Sequence, residues 1–328
     1  MRALVIGGFG FAGRHLAQYL VKCGDDVALT YLPAKSLSGA IVPDAENHVA
    51  LPQASQSLAL DITDRNAVFE VIKLLKPDAV YHLAAISHVA EAEAVADQAL
   101  FSINTFGAIN VLDALTEHSK ESRFLFVSSA EVYGEPKPGG LPFTELSELR
   151  PISAYGVCKA AADFATYKYH YRDGLHTLRV RPFPHVGPGQ ADTFAISGFA
   201  KQIAAIKLGK AKPIIKVGNL EAKRDYTDVL DIVRGYREAL LNGKAGEVYN
   251  LCSGESIGVG DTLQILIKLA GVEVEIEEDP ARVRPVDITD LYGSYQKAQR
   301  EFGWRPRVER VASLDTLLAY WLEVQSSK

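Results

Sequence analysis

Tyr155 and Lys159 stand four residues apart in the stretch SAYGVCK. In a helix that spacing is one turn, so both side chains leave from the same face. An ammonium beside a phenol favours the phenolate and draws the tyrosine pKa down from its reference near ~10, which makes it a usable acid or base. Upstream, the run FLFVSSAEVYG ends in Ser128, Ser129 and Glu131. A hydroxyl at the carboxyl end of a buried strand can meet a substrate carbonyl beside that phenol. The plainer alternative is a surface Tyr/Lys pair and a polar strand end.

Groups so distant in sequence need a scaffold to join them. Short apolar runs recur along the chain: ALVIGG, DVALTYL, SLALDI, AVYHLAA, FLFVSSA, LHTLRVRP and EVYNLCSG. Between them lie segments of helical period, such as RHLAQYLVKCG, RNAVFEVIKLLK and TFGAINVLDALTEH. The alternation predicts an α/β fold, a doubly wound parallel sheet of Rossmann type with helices on both faces. Its ligands are expected beyond the carboxyl ends of the strands. After residue 183 the texture changes to the loop PHVGPGQADTF and the helical AISGFAKQIAAIKLGK, and from about 255 it is mixed until a helix near SLDTLLAYWLEV. We therefore expect a dinucleotide-binding domain from 1–183 and 225–254, with a smaller mixed α/β substrate lobe from 184–224 and 255–328.

The dinucleotide expectation rests on GGFGFAG after the first apolar run, where Gly7, Gly10 and Gly13 follow a G-x-x-G-x-x-G spacing. Glycine permits the tight turn, the close approach of pyrophosphate and the helix–strand contact, and the helix N-terminus supplies donors. A purely structural glycine turn is the alternative. NAD sites carry an acid at the end of the second strand for the ribose 2′-hydroxyl. Here that end reads Thr30, Tyr31, so NADP(H) is favoured over NAD(H), with Arg14 and Lys35 as candidate partners for a 2′-phosphate. Asp61, ending SLALD, is an adenine-side candidate or a helix cap.

Composition narrows the partners. With 35 basic and 40 acidic residues among 328, the formal charge is −5 and no long run of one sign appears, so a nucleic-acid partner is not expected. Cys23, Cys158 and Cys252 are odd in number and widely spaced, which argues for a reducing cytoplasm rather than a disulfide framework. The N-terminal MRALVIGG reads as a buried strand, and no apolar stretch approaches the roughly 20 residues of a membrane helix. His88 and His185 lack the spacing of a metal pair, so no metal is expected.

Glycine turn, strand-end serine and Tyr-x-x-x-Lys, in that order, resemble the short-chain dehydrogenase/reductase superfamily in its extended, nucleotide-sugar-modifying branch. HLAA at 82–85, NTFGAINVLDA at 104–114, RPF at 181–183 and FGWRP at 302–306 carry the resemblance over nearly the whole chain. It implies Tyr155 as acid/base, Lys159 as holder of the nicotinamide ribose and Ser129 as the group orienting the substrate oxygen. Cofactor contacts are implied at Gly7, Gly10, Phe11, Gly13, Asp61, Ile62, Leu83, Ala84, Ala85, Tyr155 and Lys159. Asn104 looks like the asparagine that supports a proton relay, with a helix cap as its structural alternative.

HVGPGQ, FAKQI, IIKVGNLEAKRDYTDVLDIV and RVRPVDITDLYGS are similar to the GDP-mannose-derived group of that branch, its 4,6-dehydratases and, more closely, the reductases of GDP-6-deoxy-4-keto-mannose that form GDP-rhamnose. The implied substrate contacts are Ser87, Ser129, Glu131, His185, Lys201, Arg224 and Arg284. Arg224 and Arg284 would grip the diphosphate, against a structural salt bridge for either. Reduction of the C4 keto group of a GDP-linked keto sugar needs only Ser129, Tyr155, Lys159 and NADPH. A 4,6-dehydratase needs Glu131 as a base and commonly a polar helper, but the residue before Glu131 is Ala130. A 4-epimerase and a non-catalytic NADP-sensing protein are further alternatives. Pro184 stands where related enzymes carry an asparagine that contacts the sugar diphosphate, and proline brings no donor. The branch implies a homodimer through the helices beginning near Asn104 and Ser153.

Overall fold

The computed structural model describes residues 1–33, 50–51, 56–283 and 287–327. Each apolar run becomes a strand: β1 (Arg2–Ile6), β2 (Asp26–Tyr31), β3 (Gln56–Ala59), β4 (Ala79–His82), β5 (Arg123–Val127), β6 (His176–Pro182) and β7 (Val248–Leu251). They form one parallel sheet in the order β7-β6-β5-β4-β1-β2-β3. The order reverses between β1 and β4, which opens a crevice at their carboxyl ends.

Burial explains why the runs read as apolar on both sides. Ala3 and Val5 of β1 face α1 (Phe11–Lys22) and α6 (Val229–Asn242), packing with Leu16, Leu20, Ile232 and Tyr236. Leu4 and Ile6 point the other way, toward Val68 and Ile72 of α2 (Arg65–Leu75) and Val111 and Leu115 of the long helix α3 (Asp97–His118). Successive side chains on a strand alternate faces, so a two-sided core requires an unbroken apolar run.

Helix α3 corrects one expectation. At 22 residues it is long and apolar enough, by length and composition, to cross a membrane. Here it is a core helix, with Ala108, Val111, Leu112 and Leu115 fully buried against the sheet and Leu100 fully buried beside Tyr155 and Cys158. Its middle, Ser102–Phe106, widens into a π-helical turn.

Helix α4 (Ala154–Asp173) carries Tyr155 and Lys159. Ser153 starts it, its Oγ accepting from Gly156 N–H at 3.1 Å, and Gly174 stops it in a left-handed conformation at φ +71°. A second core gathers Ile196, Phe199 and Ile203 of α5 (Ala195–Lys207), Ile215 and Val217 of the strand Ile214–Val217, Leu263 and Leu266 of α7 (Val259–Ala270), and Leu314, Leu317 and Trp321 of the last helix. The expected boundary at 255 does not follow the packing. Helix α8 (Gln296–Phe302) and Trp304 lie in the core of the seven-stranded sheet with Tyr249 and Leu251, before the chain leaves for α9 (Arg310–Ser326). Trp304 Nε1 donates to Asp231 O at 3.1 Å, while Arg307 and Val308 N–H donate to Asp231 Oδ2 at 2.7 and 2.8 Å. FGWRP is thus a clamp on α6.

Beneath α4, Asp163 has no exposed surface and accepts from Arg179 Nη1 at 3.1 Å, Arg181 Nε at 3.0 Å and Arg181 Nη2 at 3.2 Å. Arg181 Nη1 also donates to Tyr133 Oη, whose hydroxyl donates to Asn250 Oδ1 at 2.7 Å. A buried ion pair is costly to break from one side, because the partner charge is left uncompensated. We expect Asp163→Asn to lower the unfolding free energy by about 3–5 kcal/mol in a denaturant titration; a loss under about 1 kcal/mol would show that the two arginines find other acceptors.

Candidate active site

The glycine turn forms the floor. Gly7 sits at φ +85°, and a side chain there would lie 2.8 Å from Ala84 N. A side chain at Gly13 would stand 2.8 Å from Gly8 Cα. Backbone packs on backbone at both positions, so neither tolerates a Cβ. Gly7 N–H donates to Thr30 Oγ1 and Gly8 N–H to Thr30 O, each at 3.1 Å, which ties the turn to the end of β2. Leu83 and Ala84 N–H both donate to Ile6 O at 2.9 Å. Gly7, Gly13, Leu83 and Ala84 are therefore contiguous, and Ala85 follows directly in the same loop.

Helix α1 opens at Gly10. No side chain caps its first turn and no acidic residue lies there, among the described residues. Its leading N–H groups and positive dipole end face the crevice, and a pyrophosphate fits such an end. Phe11 stacks on His185 with ring centroids 5.8 Å apart and meets the edge of His15 at 5.6 Å. His15 Nε2 contacts Pro188 O at 2.8 Å, so α1 is joined to the loop that follows β6.

At the end of β5, Ser129 begins a short 3₁₀ turn, its Oγ accepting from Glu131 N–H at 3.2 Å. The same hydroxyl and the Glu131 carboxylate both lie close enough to the Tyr155 phenol to act on its proton. Ser129, Glu131 and Tyr155 are thus brought together as expected. The pKa expectation is corrected. Burial pushes the Tyr155 phenol well above its ordinary value, the Ser129 hydrogen bond opposes this, and Glu131 adds repulsion. The Lys159 ammonium lies over the Phe126 ring, 4.5 Å from the centroid, and burial lowers its pKa to about 7 against the pull of Asp163.

His82, which the sequence offered only as part of HLAA, belongs to this centre. It ends β4 fully buried, stacked on Phe126 at 6.0 Å, with neither ring nitrogen hydrogen-bonded within the described residues. Burial, then the nearby Lys159 charge, holds its pKa down to about 3, so it is neutral. Asn104 is not a helix cap. It lies inside the π-helical turn and clamps one residue of the HLAA loop, accepting from Ile86 N–H at 2.9 Å and donating to Ile86 O at 3.0 Å. Asp61 is not a cap either: Asp64 caps α2, while Asp61 Oδ1 accepts from Thr63 N–H and Oγ1 at 2.9 and 2.7 Å. Ile62 props the far side, its carbonyl accepting from Asn110 Nδ2 at 2.9 Å.

The substrate-side residues are more dispersed. His185 Nδ1 faces Phe183 O at 3.1 Å, and burial lowers its pKa. Pro184 offers its carbonyl to Thr227 N–H at 3.0 Å. Lys201 pairs with Asp192 at 2.6 Å. Arg224 forms the structural bridge named as its alternative, reaching Asp287 at 2.5 Å and donating to Lys223 O and Ile288 O at 2.8 and 2.7 Å. Ser87 is exposed on the loop before His88. Arg284 and Lys35 lie outside the described residues.

Residues 4–315 match the GDP-mannose 4,6 dehydratase family. The chain belongs to that family. It is 33% identical over 320 residues to a GDP-6-deoxy-D-mannose reductase of Pseudomonas aeruginosa, covering 98% of this chain and 97% of the relative. Against a GDP-mannose 4,6 dehydratase of Arabidopsis thaliana the identity is 27%, covering 93% and 83%. Among solved structures, RMD from Pseudomonas aeruginosa complexed with NADPH superposes with a TM-score of 0.83 at 32% identity, over 98% of this chain and 99% of that one. A UDP-glucose 4-epimerase from Thermotoga maritima with UDP-glucose gives 0.87 at 26% identity, over 99% and 100%.

Burial of Lys159 has a stability consequence. Its folded pKa, about 7, lies below the ordinary lysine value of 10.5. Between those values the unfolded chain holds a proton that the folded chain does not, so stability falls as pH is lowered toward 7 and the full cost is present below it. Lys159→Met removes that slope. We expect the variant to be more stable than the natural protein in urea titrations, by a margin that widens from pH 10 to pH 7; a margin independent of pH would show that the lysine is not desolvated.

Proposed function

We propose that this protein uses NADPH to reduce the C4 keto group of a GDP-linked 6-deoxy-4-keto-hexose, turning GDP-6-deoxy-4-keto-mannose into GDP-rhamnose. The observation that carries the reading is the Ser129–Tyr155 hydroxyl pair at the carboxyl end of β5, in a chain alike over its whole length to a GDP-6-deoxy-D-mannose reductase. The uncapped N-terminus of α1 and the Gly7–Ala84 contact fit a dinucleotide, and the RMD relative was solved with NADPH.

The bound cofactor supplies the hydride. Tyr155 supplies the proton: burial and Glu131 keep the phenol protonated until negative charge develops on the C4 oxygen, and the O–H bond then breaks toward that oxygen. Ser129 donates a hydrogen bond to the same oxygen and stabilises the developing alkoxide. Lys159 holds the ribose hydroxyls, with Asp163 one turn behind it favouring its charged form. Asn104, acting through Ile86, positions the loop that floors the site. A second reading has one observation in its favour. Glu131 is close enough to act on Tyr155, where a 4,6-dehydratase needs a base for the C5 proton, but Ala130 gives it no polar helper.

The assembly we propose is a homodimer. Val157, Phe164 and Tyr171 are spaced by seven on α4, and with Tyr167 and Phe106 they expose 41%, 58%, 82%, 44% and 55% of their surfaces. An apolar helical stripe of this kind is rare on a monomer. Phe164→Glu should move the mass in light scattering from dimer to monomer, and a natural protein that is already monomeric at micromolar concentration would sink the proposal.

For the reaction, GDP-6-deoxy-4-keto-mannose with NADPH should consume the reduced cofactor, and Tyr155→Phe should lower kcat by about 10²–10⁴-fold while leaving the fold intact. If the keto sugar is inert and GDP-mannose with oxidised cofactor produces it, Glu131 is a working base and the dehydratase reading replaces this one.

A further inference from the structure

The end of β2, Thr30 and Tyr31, carries no carboxylate to meet a ribose 2′-hydroxyl, and Thr30 Oγ1 is engaged, accepting from Gly7 N–H at 3.1 Å. That staple places the residues after Thr30 and Gly8 side by side. The Phe9 and Tyr31 rings stand 5.1 Å apart at 54°, walling the corner between the glycine turn and the second strand. Arg14, from the first turn of α1, closes the wall. Its Nε donates to Phe9 O at 2.9 Å and its guanidinium carbon lies 5.4 Å from the Phe9 ring centroid. Gln18, one turn further along, reaches Ala50 O at 2.6 Å, so this face of α1 looks toward the chain that follows β2. Partial burial lowers the Arg14 pKa, Tyr320 of α9 opposes this electrostatically, and the guanidinium stays charged at working pH.

We propose that Arg14 is the residue that selects NADP over NAD, with its guanidinium held on Phe9 as the partner of the 2′-phosphate. A doubly wound dinucleotide site reads the 2′ position at the corner between the glycine turn and the end of the second strand. A planar, permanently charged fork, braced at its Nε and against a ring face, suits a phosphate better than a lysine does. The selectivity thus comes from the first helix rather than from the residues after β2. This inference rests on the NADP reading given above.

The test separates the two. Calorimetry of 2′,5′-ADP and 5′-ADP needs no sugar substrate and no turnover. The natural protein should bind 2′,5′-ADP more tightly, and Arg14→Gln should weaken it by about 10- to 100-fold while moving 5′-ADP less than about twofold. Arg14→Lys, which keeps the charge but loses the ring contact and the Phe9 bond, should fall between. With NADPH and NADH in turnover, Arg14→Gln should raise KM for the first alone. If the natural protein binds both nucleotides alike, the NADP reading fails and this inference with it. If it prefers 2′,5′-ADP but Arg14→Gln weakens both equally, Arg14 only shapes the glycine turn. If Arg14→Gln is silent and Lys35→Ala abolishes the preference, the selector lies after β2. Either of these last two results overturns the inference alone.

Discussion

Asp163 is the constraint on which the reaction centre depends. It lies one helical turn beyond Lys159, with no exposed surface, and three hydrogen bonds from Arg179 and Arg181 fasten α4 to β6. Those bonds set the height of α4 over the sheet, and with it where Tyr155 meets Ser129. The same carboxylate supports the Lys159 charge that burial opposes. Arg181 passes the constraint on through Tyr133 to Asn250 of β7. A core of apolar side chains alone would hold α4 less uniquely, because many small slides of a helix bury similar area.

Around that anchor the site is assembled from pieces joined by close backbone contact and by a few side-chain bonds to backbone. The glycine turn touches the HLAA loop through Gly7, touches α1 through Gly13, and is stapled to β2 by Thr30. Asn104 holds the HLAA loop from the opposite side through both polar groups of Ile86. The π-helical turn makes that clamp: an extra residue within α3 rotates Asn104 inward, where a regular helix would carry it elsewhere. The phenol is consequently an acid held in reserve, protonated by its surroundings and ready to give when charge appears on the substrate oxygen.

Much of this was legible in the residues. Runs such as ALVIGG and FLFVSSA could be read as buried parallel strands because both faces of a sheet clad in helices must be apolar, and the Tyr155–Lys159 spacing fixed a shared face. The sign of the Tyr155 shift was not legible, since it depends on burial and on a glutamate brought in by a 3₁₀ turn. Arg224 meets Asp287 across 63 residues of chain, a distance over which no sequence period applies. The 97–118 helix looked shorter in sequence because Asn104, Thr105, Asn110 and Asp113 interrupt its apolar pattern, and each of them turns out to be accommodated by the fold. His82 hid in plain sight: a histidine ending an apolar strand reads as filler until its ring is found, among the described residues, without a hydrogen bond and beside a buried lysine.

The return of α8 and Trp304 to the sheet determines how the molecule can be divided. The chain leaves the nucleotide core after β6, comes back through α6 and β7, leaves again with α7, and comes back once more to seat Trp304 behind Tyr295 and over Arg234 before ending in the second core. Neither core is a continuous stretch of polypeptide. No single cut would release a self-sufficient dinucleotide-binding fragment, and a chain shortened before residue 304 would lose the largest side chain buried in the core that holds the cofactor floor.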